Sequence, residues 1–207
     1  DAIVWLAEAG EQKKVVSMVG SLSDFFRISL NQGQDILDVK EELQHVRSYL
    51  EIQQMRYQDI LQYEICVPEE LNHCQIPKIT LQPLVENAIF HGIEPKGCAG
   101  HIRIHVGYET SDNTEKIRID VTDDGVGMTA DKAAQVLRSN DDSSADFFRE
   151  IGVSNVHKRL QYQFGAEYGI TIESKEGEYT TMSIHIPNIP LHNNETVSSE
   201  TISSENT

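Results

Sequence analysis

Residues 81–92 read LQPLVENAIFHG, and apolar residues recur in this stretch at the spacing of a helix face. Pro83 suits the first turn of a helix and Gly92 suits a helix end, so we predict one helix over the whole stretch. Glu86 and Asn87 lie on the flanks of the apolar face. The helix is therefore anchored on one side and presents a carboxylate and an amide beside it.

On its own this stretch is equally well explained as an ordinary amphipathic helix with solvated polar residues. Two downstream motifs change that interpretation: DVTDDGVGM at 120–128 and IGVSNVHKRL at 151–160. In order and spacing, the three stretches resemble the N box and the two glycine boxes of the histidine-kinase type ATPases. The resemblance implies an α+β fold, a two-layer α/β sandwich of the Bergerat type, that binds ATP and Mg²⁺.

Composition limits the possible partners. The formal net charge of −16 argues against nucleic acid or an anionic membrane as the main partner. The three cysteines are irregularly spaced, which predicts reduced thiols in a reducing compartment. A length of 207 residues with 39% hydrophobic residues suits one ordinary domain and an appendage.

The appendage is predicted at residues 1–60 as a helical hairpin. Apolar spacing predicts one helix over 1–32, with a weak point at Gly10, and a second helix over roughly 38–58, capped by Asp35 or Asp38. A lone hairpin buries too little surface to be stable. We therefore expect it to pair with a second copy or to pack on the next domain. A four-helix bundle across a two-fold axis is the economical solution, and it would make the protein a homodimer.

From residue 61 the pattern changes to the alternation of strands. Strands are predicted at 61–67, 101–108, 116–122, 170–174 and 180–186, and helices at 81–92 and 152–164. This order predicts helices over one face of a mixed sheet at 61–187, the region that by resemblance is the ATP-binding domain. Residues 188–207 are rich in Ser, Thr, Asn and Glu and are predicted to be a disordered tail.

The first two motifs supply candidate ligands for Mg-ATP. By resemblance, Asn87 is the Mg²⁺ ligand, and His91 shares its helix stripe and is assigned to the nucleotide site. Asp123 ends a strand, and its carboxylate can accept a hydrogen bond from the exocyclic amine of adenine, which guanine lacks. Gly125 and Gly127 let the backbone turn and approach the nucleotide closely.

The third motif and the last strand complete the candidate site. Gly152 precedes a helix start predicted near Ser154, where backbone N–H groups attract phosphate. Asn155, Lys158 and Arg159 lie in the first turns of that helix, and either of the two bases can reach a phosphate. A hydroxyl of Thr180 or Thr181 closes the adenine pocket by resemblance. Residues 128–150 are expected to form a lid over the nucleotide.

The stretch VRSYLEIQQMRY at 46–57 resembles the LytS-type branch of bacterial sensor histidine kinases. The resemblance implies a protein-histidine kinase whose phosphoryl group passes to a response regulator receiver domain, with Glu86 as the base toward the acceptor histidine. The acceptor box is missing, so we expect it, like any membrane sensor, to lie upstream of a cytoplasmic portion that cannot phosphorylate itself. The alternatives are an ATPase in which Glu86 activates water, and a dimerising module without enzymatic activity.

Overall fold

The computed structural model describes residues 2–30, 35–57, 60–111, 114–138 and 147–189. The predicted tail from 190 onward and the centre of the predicted lid, 139–146, lie outside the described residues. No helix in the described part of the chain is long and apolar enough to cross a lipid bilayer.

The N-terminal hairpin has three helices, α1 (Ala2–Glu8), α2 (Gln12–Ser29) and α3 (Val39–Arg56). The single helix predicted over 1–32 is wrong, because Gly10 has a φ of 74° and breaks it into α1 and α2. The second predicted helix is confirmed as α3. Asp38 precedes it and donates its N–H to Glu41 Oε2 at 3.3 Å, the return bond of a capping box.

Helices α2 and α3 pack side by side around a buried histidine. The His45 ring is fully buried and stacks on Phe25, with ring centroids 4.6 Å apart. Its Nε2 is 2.9 Å from Ser29 Oγ, and Ser21 Oγ donates to Glu51 Oε2 at 2.6 Å. The hairpin is therefore joined by polar contacts as well as by apolar packing.

The strands form a two-stranded ribbon and a five-stranded sheet. The ribbon, which the sequence pattern did not predict, pairs β1 (Ile36–Asp38) with β3 (Gln75–Pro77). The sheet contains β2 (Leu61–Cys66), β4 (Gly100–Ser111), β5 (Thr114–Asp123), β6 (Gly169–Lys175) and β7 (Tyr179–Pro187). Its strand order is β2-β4-β5-β7-β6, with β2 parallel to β4 and all other pairs antiparallel.

The alternation of apolar residues places one face of the sheet in the core. Ile104 pairs with Val121 and Val106 with Ile119 across β4 and β5, and none of these four side chains is more than 2% exposed. Each contributes about 1.5–3 kcal/mol by burial. Helices α6 (Ala130–Arg138) and α7 (Phe147–Phe164) lie on this face with the N-box helix, which confirms the predicted fold.

The N-box helix begins as predicted but does not end at Gly92. It runs as α4 (Gln82–Asn87), a π-helical turn (Ala88–Ile93) and α5 (Glu94–Lys96), and ends at Gly97, which has a φ of 68°. Gly92 is inside the π-helical turn because a close contact requires it: a Cβ there would lie 2.3 Å from Asp123 Oδ1. Close approach, not helix termination, explains this glycine.

The third motif also differs from its prediction. Helix α7 begins at Phe147, so Gly152 lies within the helix and not before its start. Nothing in this stretch breaks a helix, and a Cβ on Gly152 would lie 3.1 Å from Pro83 Cβ. The glycine therefore allows α7 to lie close to the beginning of α4, and the phosphate-binding helix start predicted near Ser154 is wrong.

Candidate functional site

Asp123 is the last residue of β5 and lies against the N-box helix. Its side chain is 3% exposed, and its Oδ1 accepts the N–H of Gly125 at 2.9 Å. Gly92 lies directly against the carboxylate. A Cβ on Gly125 would in turn lie 2.3 Å from the Gly92 carbonyl carbon, so two glycines are needed for the helix and the loop to meet here.

Burial raises the pKa of Asp123 to about 7, from an ordinary value of 3.8. The hydrogen bond from Gly125 opposes this rise, while the nearby carboxylate of Asp124 adds to it. A ligand that donates a hydrogen bond favours the ionised carboxylate and draws the equilibrium toward it. The Asp123 carboxylate is therefore a buried hydrogen-bond acceptor, suited to a ligand that donates a hydrogen bond.

Strand register separates the two candidate threonines. Thr180 pairs with Asp123 and is 2% exposed, and its Oγ1 is 2.9 Å from Ser174 Oγ. Thr181 pairs with Thr122, and their Oγ1 atoms are 2.9 Å apart. Since neighbouring residues of a strand point to opposite faces, only Thr180 lies on the face of Asp123.

The glycine-rich loop after β5 is packed on the turn between β6 and β7. Gly127 has a φ of 63°, and a Cβ on it would lie 2.1 Å from the Lys175 carbonyl oxygen. Val126 N–H donates to Gly92 O at 3.0 Å, and Gly177 N–H donates to Val126 O at 2.6 Å. The loop is thus held from both sides by backbone bonds.

Sequence reasoning missed Ser174, which connects this loop to Thr180. Its hydroxyl accepts the N–H of Met128 at 2.8 Å and donates to the carbonyl of Tyr179 at 2.7 Å. A serine at an inward position of a predicted strand, near the turn at Gly177, was the available signal.

The N-box helix positions the two polar candidates of the first motif. Glu86 Oε1 accepts a bond from Gln82 Nε2 at 2.8 Å. The pKa of the Tyr49 phenol in α3 is raised, first by burial and second by the nearby Glu86 carboxylate. Glu86 therefore lies close to the hairpin. Asn87 is 6% exposed, and its carboxamide has no hydrogen-bond partner among the described residues. His91 is half-buried in the π-helical turn.

The polar residues of α7 have different surroundings. Asn155, Lys158 and Arg159 are all exposed. Arg159 Nη2 donates to Ile79 O at 3.1 Å and to Thr80 Oγ1 at 3.0 Å, so this guanidinium contacts the turn before α4.

That turn also binds Glu42, a fully buried carboxylate of α3 that sequence reasoning did not select. The sequence pattern that could have identified Glu42 was an acidic residue on the apolar face of a predicted helix. Helical spacing puts it beside Val39 and Val46, both of which are completely buried.

Two sequence-family models match the chain. The first, described as histidine kinase, matches residues 1–61, and the second, described as histidine kinase-, DNA gyrase B-, and HSP90-like ATPase, matches residues 77–190. The second match alone covers more than half of the chain. It contains all three motifs from which the resemblance was inferred.

The sensor histidine kinase YesM of Bacillus subtilis is 36% identical over 189 residues, a region covering 90% of this chain and 30% of YesM. The chain therefore spans about a third of the length of this relative. The histidine kinase domain of the blue-light activated kinase EL346 of Erythrobacter litoralis has a TM-score of 0.53 at 12% identity, covering 88% of this chain and 83% of that one.

Full-length ShkA in complex with AMPPNP has a TM-score of 0.55 at 14% identity, covering 92% of this chain and 39% of that one. At these identities the two structures establish the fold, whereas the second family model establishes the family. The chain belongs to the histidine kinase-, DNA gyrase B- and HSP90-like ATPases.

Proposed function

We propose that this chain binds ATP with adenine against Asp123 and Thr180. The observation that carries the proposal is the buried carboxylate of Asp123, held by Gly92 and Gly125 in a domain of the ATPase family. ShkA, which shares the fold, was crystallised with the ATP analogue AMPPNP.

The proposed adenine contact explains how the site would discriminate between adenine and guanine. The exocyclic amine of adenine donates to the ionised carboxylate of Asp123. Guanine presents an oxygen at the equivalent position, which would leave two acceptors facing each other in a buried site. An unmade hydrogen bond of this kind costs about 1–3 kcal/mol, and more where a charge is involved.

Asn87 is the proposed protein ligand of Mg²⁺. The described residues contain no group of three or more His, Cys, Asp or Glu side chains that could hold a metal. One neutral oxygen fits a magnesium ion that takes its remaining ligands from phosphates and water. The carboxamide of Asn87 fits that requirement, since it is nearly buried and has no described partner. When bound, the ion neutralises charge on the phosphates.

Glu86 is the proposed base for transfer of the γ-phosphoryl group. One imidazole nitrogen of an acceptor histidine outside these 207 residues attacks the phosphorus, the bond to the ADP oxygen breaks, and Glu86 accepts the proton of the other nitrogen. The position of Glu86 near Tyr49 supports this role, because an acceptor presented by a helical hairpin would approach from that side. The phosphoryl group then passes to an aspartate of a response regulator receiver domain.

The hairpin is the proposed homodimer interface. Large apolar side chains on α1 and α2, and at the residue directly after α2, are about half or more exposed, namely Val4, Trp5, Val16, Val19, Phe26 and Leu30. Helices with such faces are stabilised by burying them against others, and a four-helix bundle formed by two hairpins would do so.

The test of the metal role is titration calorimetry with ATP, in the presence and absence of Mg²⁺, on the wild type and Asn87→Ala. We expect Asn87→Ala to lose the affinity that Mg²⁺ adds and to keep the weaker Mg²⁺-free binding. Asn72→Ala, outside the site, is the matched control. An Asn87→Ala variant that still gains affinity from Mg²⁺ would remove Asn87 from the metal site. Steady ATP turnover without a regulator would instead favour an ATPase in which Glu86 activates water.

A further inference from the structure

A buried carboxylate from the hairpin is bound at the start of the N-box helix. Glu42 Oε1 accepts the N–H groups of Thr80 at 2.6 Å and Leu81 at 2.8 Å, and its Oε2 accepts that of Ile79 at 3.0 Å. Three successive backbone donors of residues 79–81 thus converge on one side chain. The carboxylate belongs to α3, whereas the donors belong to the turn that opens α4.

The turn is shaped around this anion. Ile79 has a φ of 55°, an unfavourable conformation for a β-branched residue, and it aligns the N–H groups toward the carboxylate. The residue that caps α4, Leu81, has no side-chain oxygen, so the helix lacks a cap of its own. Glu42 takes that role from another helix, and its negative charge lies at the positive end of α4.

Arg159 joins helix α7 to the same turn. Its contacts to Ile79 O and Thr80 Oγ1 bring a positive charge near Glu42, and Thr80 Oγ1 donates to Pro77 O at 2.6 Å. Burial raises the pKa of Glu42, while the three N–H bonds and Arg159 lower it. Helices α3, α4 and α7 therefore meet at a single turn of residues 79–81, which we name the joint.

We propose that Glu42 is a positioning residue that couples the hairpin to the nucleotide site by fixing the start of the helix that carries Glu86 and Asn87. Those two residues follow the joint by only one to two helical turns, so a shift of α3 is transmitted along α4 to both. This inference rests on the proposed function and deepens it. A shift of the hairpin would thereby change the position of Asn87, the proposed Mg²⁺ ligand, without acting through Asp123.

The proposal differs in its consequences from a purely stabilising role. If Glu42 only stabilises the fold, its replacement loosens the domain as a whole. If it positions α4, the effect is concentrated in that helix and in the part of ATP binding that depends on Asn87. The adenine contacts come from the sheet and are expected to remain.

The test uses Glu42→Gln, which keeps the size of the side chain but removes the charge and directs an amide donor at the N–H of Ile79. Glu41→Gln is the matched control, since Glu41 is exposed and its amide oxygen can still accept from Asp38. Thr80→Val, which removes the hydroxyl bonded to Arg159, is a second and milder variant. Each is compared with the wild type at equal folded fraction.

The first readout is amide hydrogen exchange without nucleotide. We expect Glu42→Gln to speed exchange in residues 84–89 by about tenfold relative to the central strand β5, as loss of a charge-assisted contact would. Acceleration that is uniform, or that is confined to residues 79–81, would overturn the proposal. This arm decides whether the joint controls α4 even if the chain binds no ATP.

The second readout is calorimetry with ATP. We expect the gain in affinity from Mg²⁺ to fall by about tenfold in Glu42→Gln, less in Thr80→Val and not in Glu41→Gln, with Mg²⁺-free binding nearly unchanged. Equal losses with and without Mg²⁺ would overturn the positioning role. A wild type that binds no nucleotide would instead refute the proposed function, and the exchange result would then stand alone.

Discussion

Replacing Asp123 by asparagine separates the stability of the fold from the function of the site. Asparagine has nearly the same shape and keeps an oxygen that can accept the N–H of Gly125. It cannot ionise, and it does not provide the charged acceptor that the amine of adenine is proposed to meet. We therefore expect Asp123→Asn to be more stable than the wild type and to bind ATP much more weakly.

The expected stabilisation follows from the pKa of Asp123. Burial raises this pKa from 3.8 to about 7 in the folded protein, so folding opposes ionisation. The resulting loss of folding free energy is absent well below the unfolded-state pKa, because Asp123 is then protonated in both the folded and the unfolded state. This loss grows as the pH rises and levels off above the folded-state pKa. It amounts to about 2 kcal/mol at pH 5.5 and about 4 kcal/mol at pH 8.

The assay is urea denaturation of the wild type and Asp123→Asn at those two pH values. We expect the free-energy advantage of the variant to increase by about 2 kcal/mol between pH 5.5 and pH 8. Asp131→Asn is the control, because Asp131 is an exposed carboxylate in the first turn of α6. Saturating ATP should then stabilise the wild type but not Asp123→Asn. A variant that is equally destabilised at both pH values would refute the reasoning.

Two further substitutions test other parts of the account. Gly92→Ala places a Cβ 2.3 Å from Asp123 Oδ1, so we expect loss of ATP binding by calorimetry and a stability loss of about 1–3 kcal/mol by denaturation, whereas Gly20→Ala, with nothing within 4 Å, should not destabilise the fold. Unchanged ATP binding in Gly92→Ala would contradict the observed packing. Val16→Lys, at a side chain 72% exposed on α2, should shift the mass measured by analytical ultracentrifugation toward the monomer, and Tyr162→Lys, at 95% exposed on α7, should not. A dimer that survives Val16→Lys would exclude this helix face as the interface.

The sheet could be predicted from the sequence because its signal is local. Alternation in residues 101–108 and 116–122 gave both the strands and their buried faces, and the structure pairs them directly. The ribbon of β1 and β3 could not be found in this way, since each strand has three residues and is formed by its partner. The choice between Thr180 and Thr181 likewise required the register of β5 and β7.

The glycines were harder to interpret, because one residue type serves several purposes. Gly92 follows an apolar helical run and matches a helix end, yet the Asp123 carboxylate in contact with it comes from a strand 31 residues later. Gly152 was similarly assigned to a helix start, although its close neighbour Pro83 lies in another helix. Long-range contacts of this kind leave no periodic trace in the sequence.

The central claim is that the chain binds ATP through adenine at Asp123 and phosphate-bound Mg²⁺ at Asn87. Titration calorimetry of the wild-type chain with ATP and GTP, each with and without Mg²⁺, tests it most directly. We expect ATP to bind in preference to GTP, and its affinity to fall when Mg²⁺ is removed. Equal binding of the two nucleotides would contradict the role of Asp123, and the absence of any binding would contradict the proposed site.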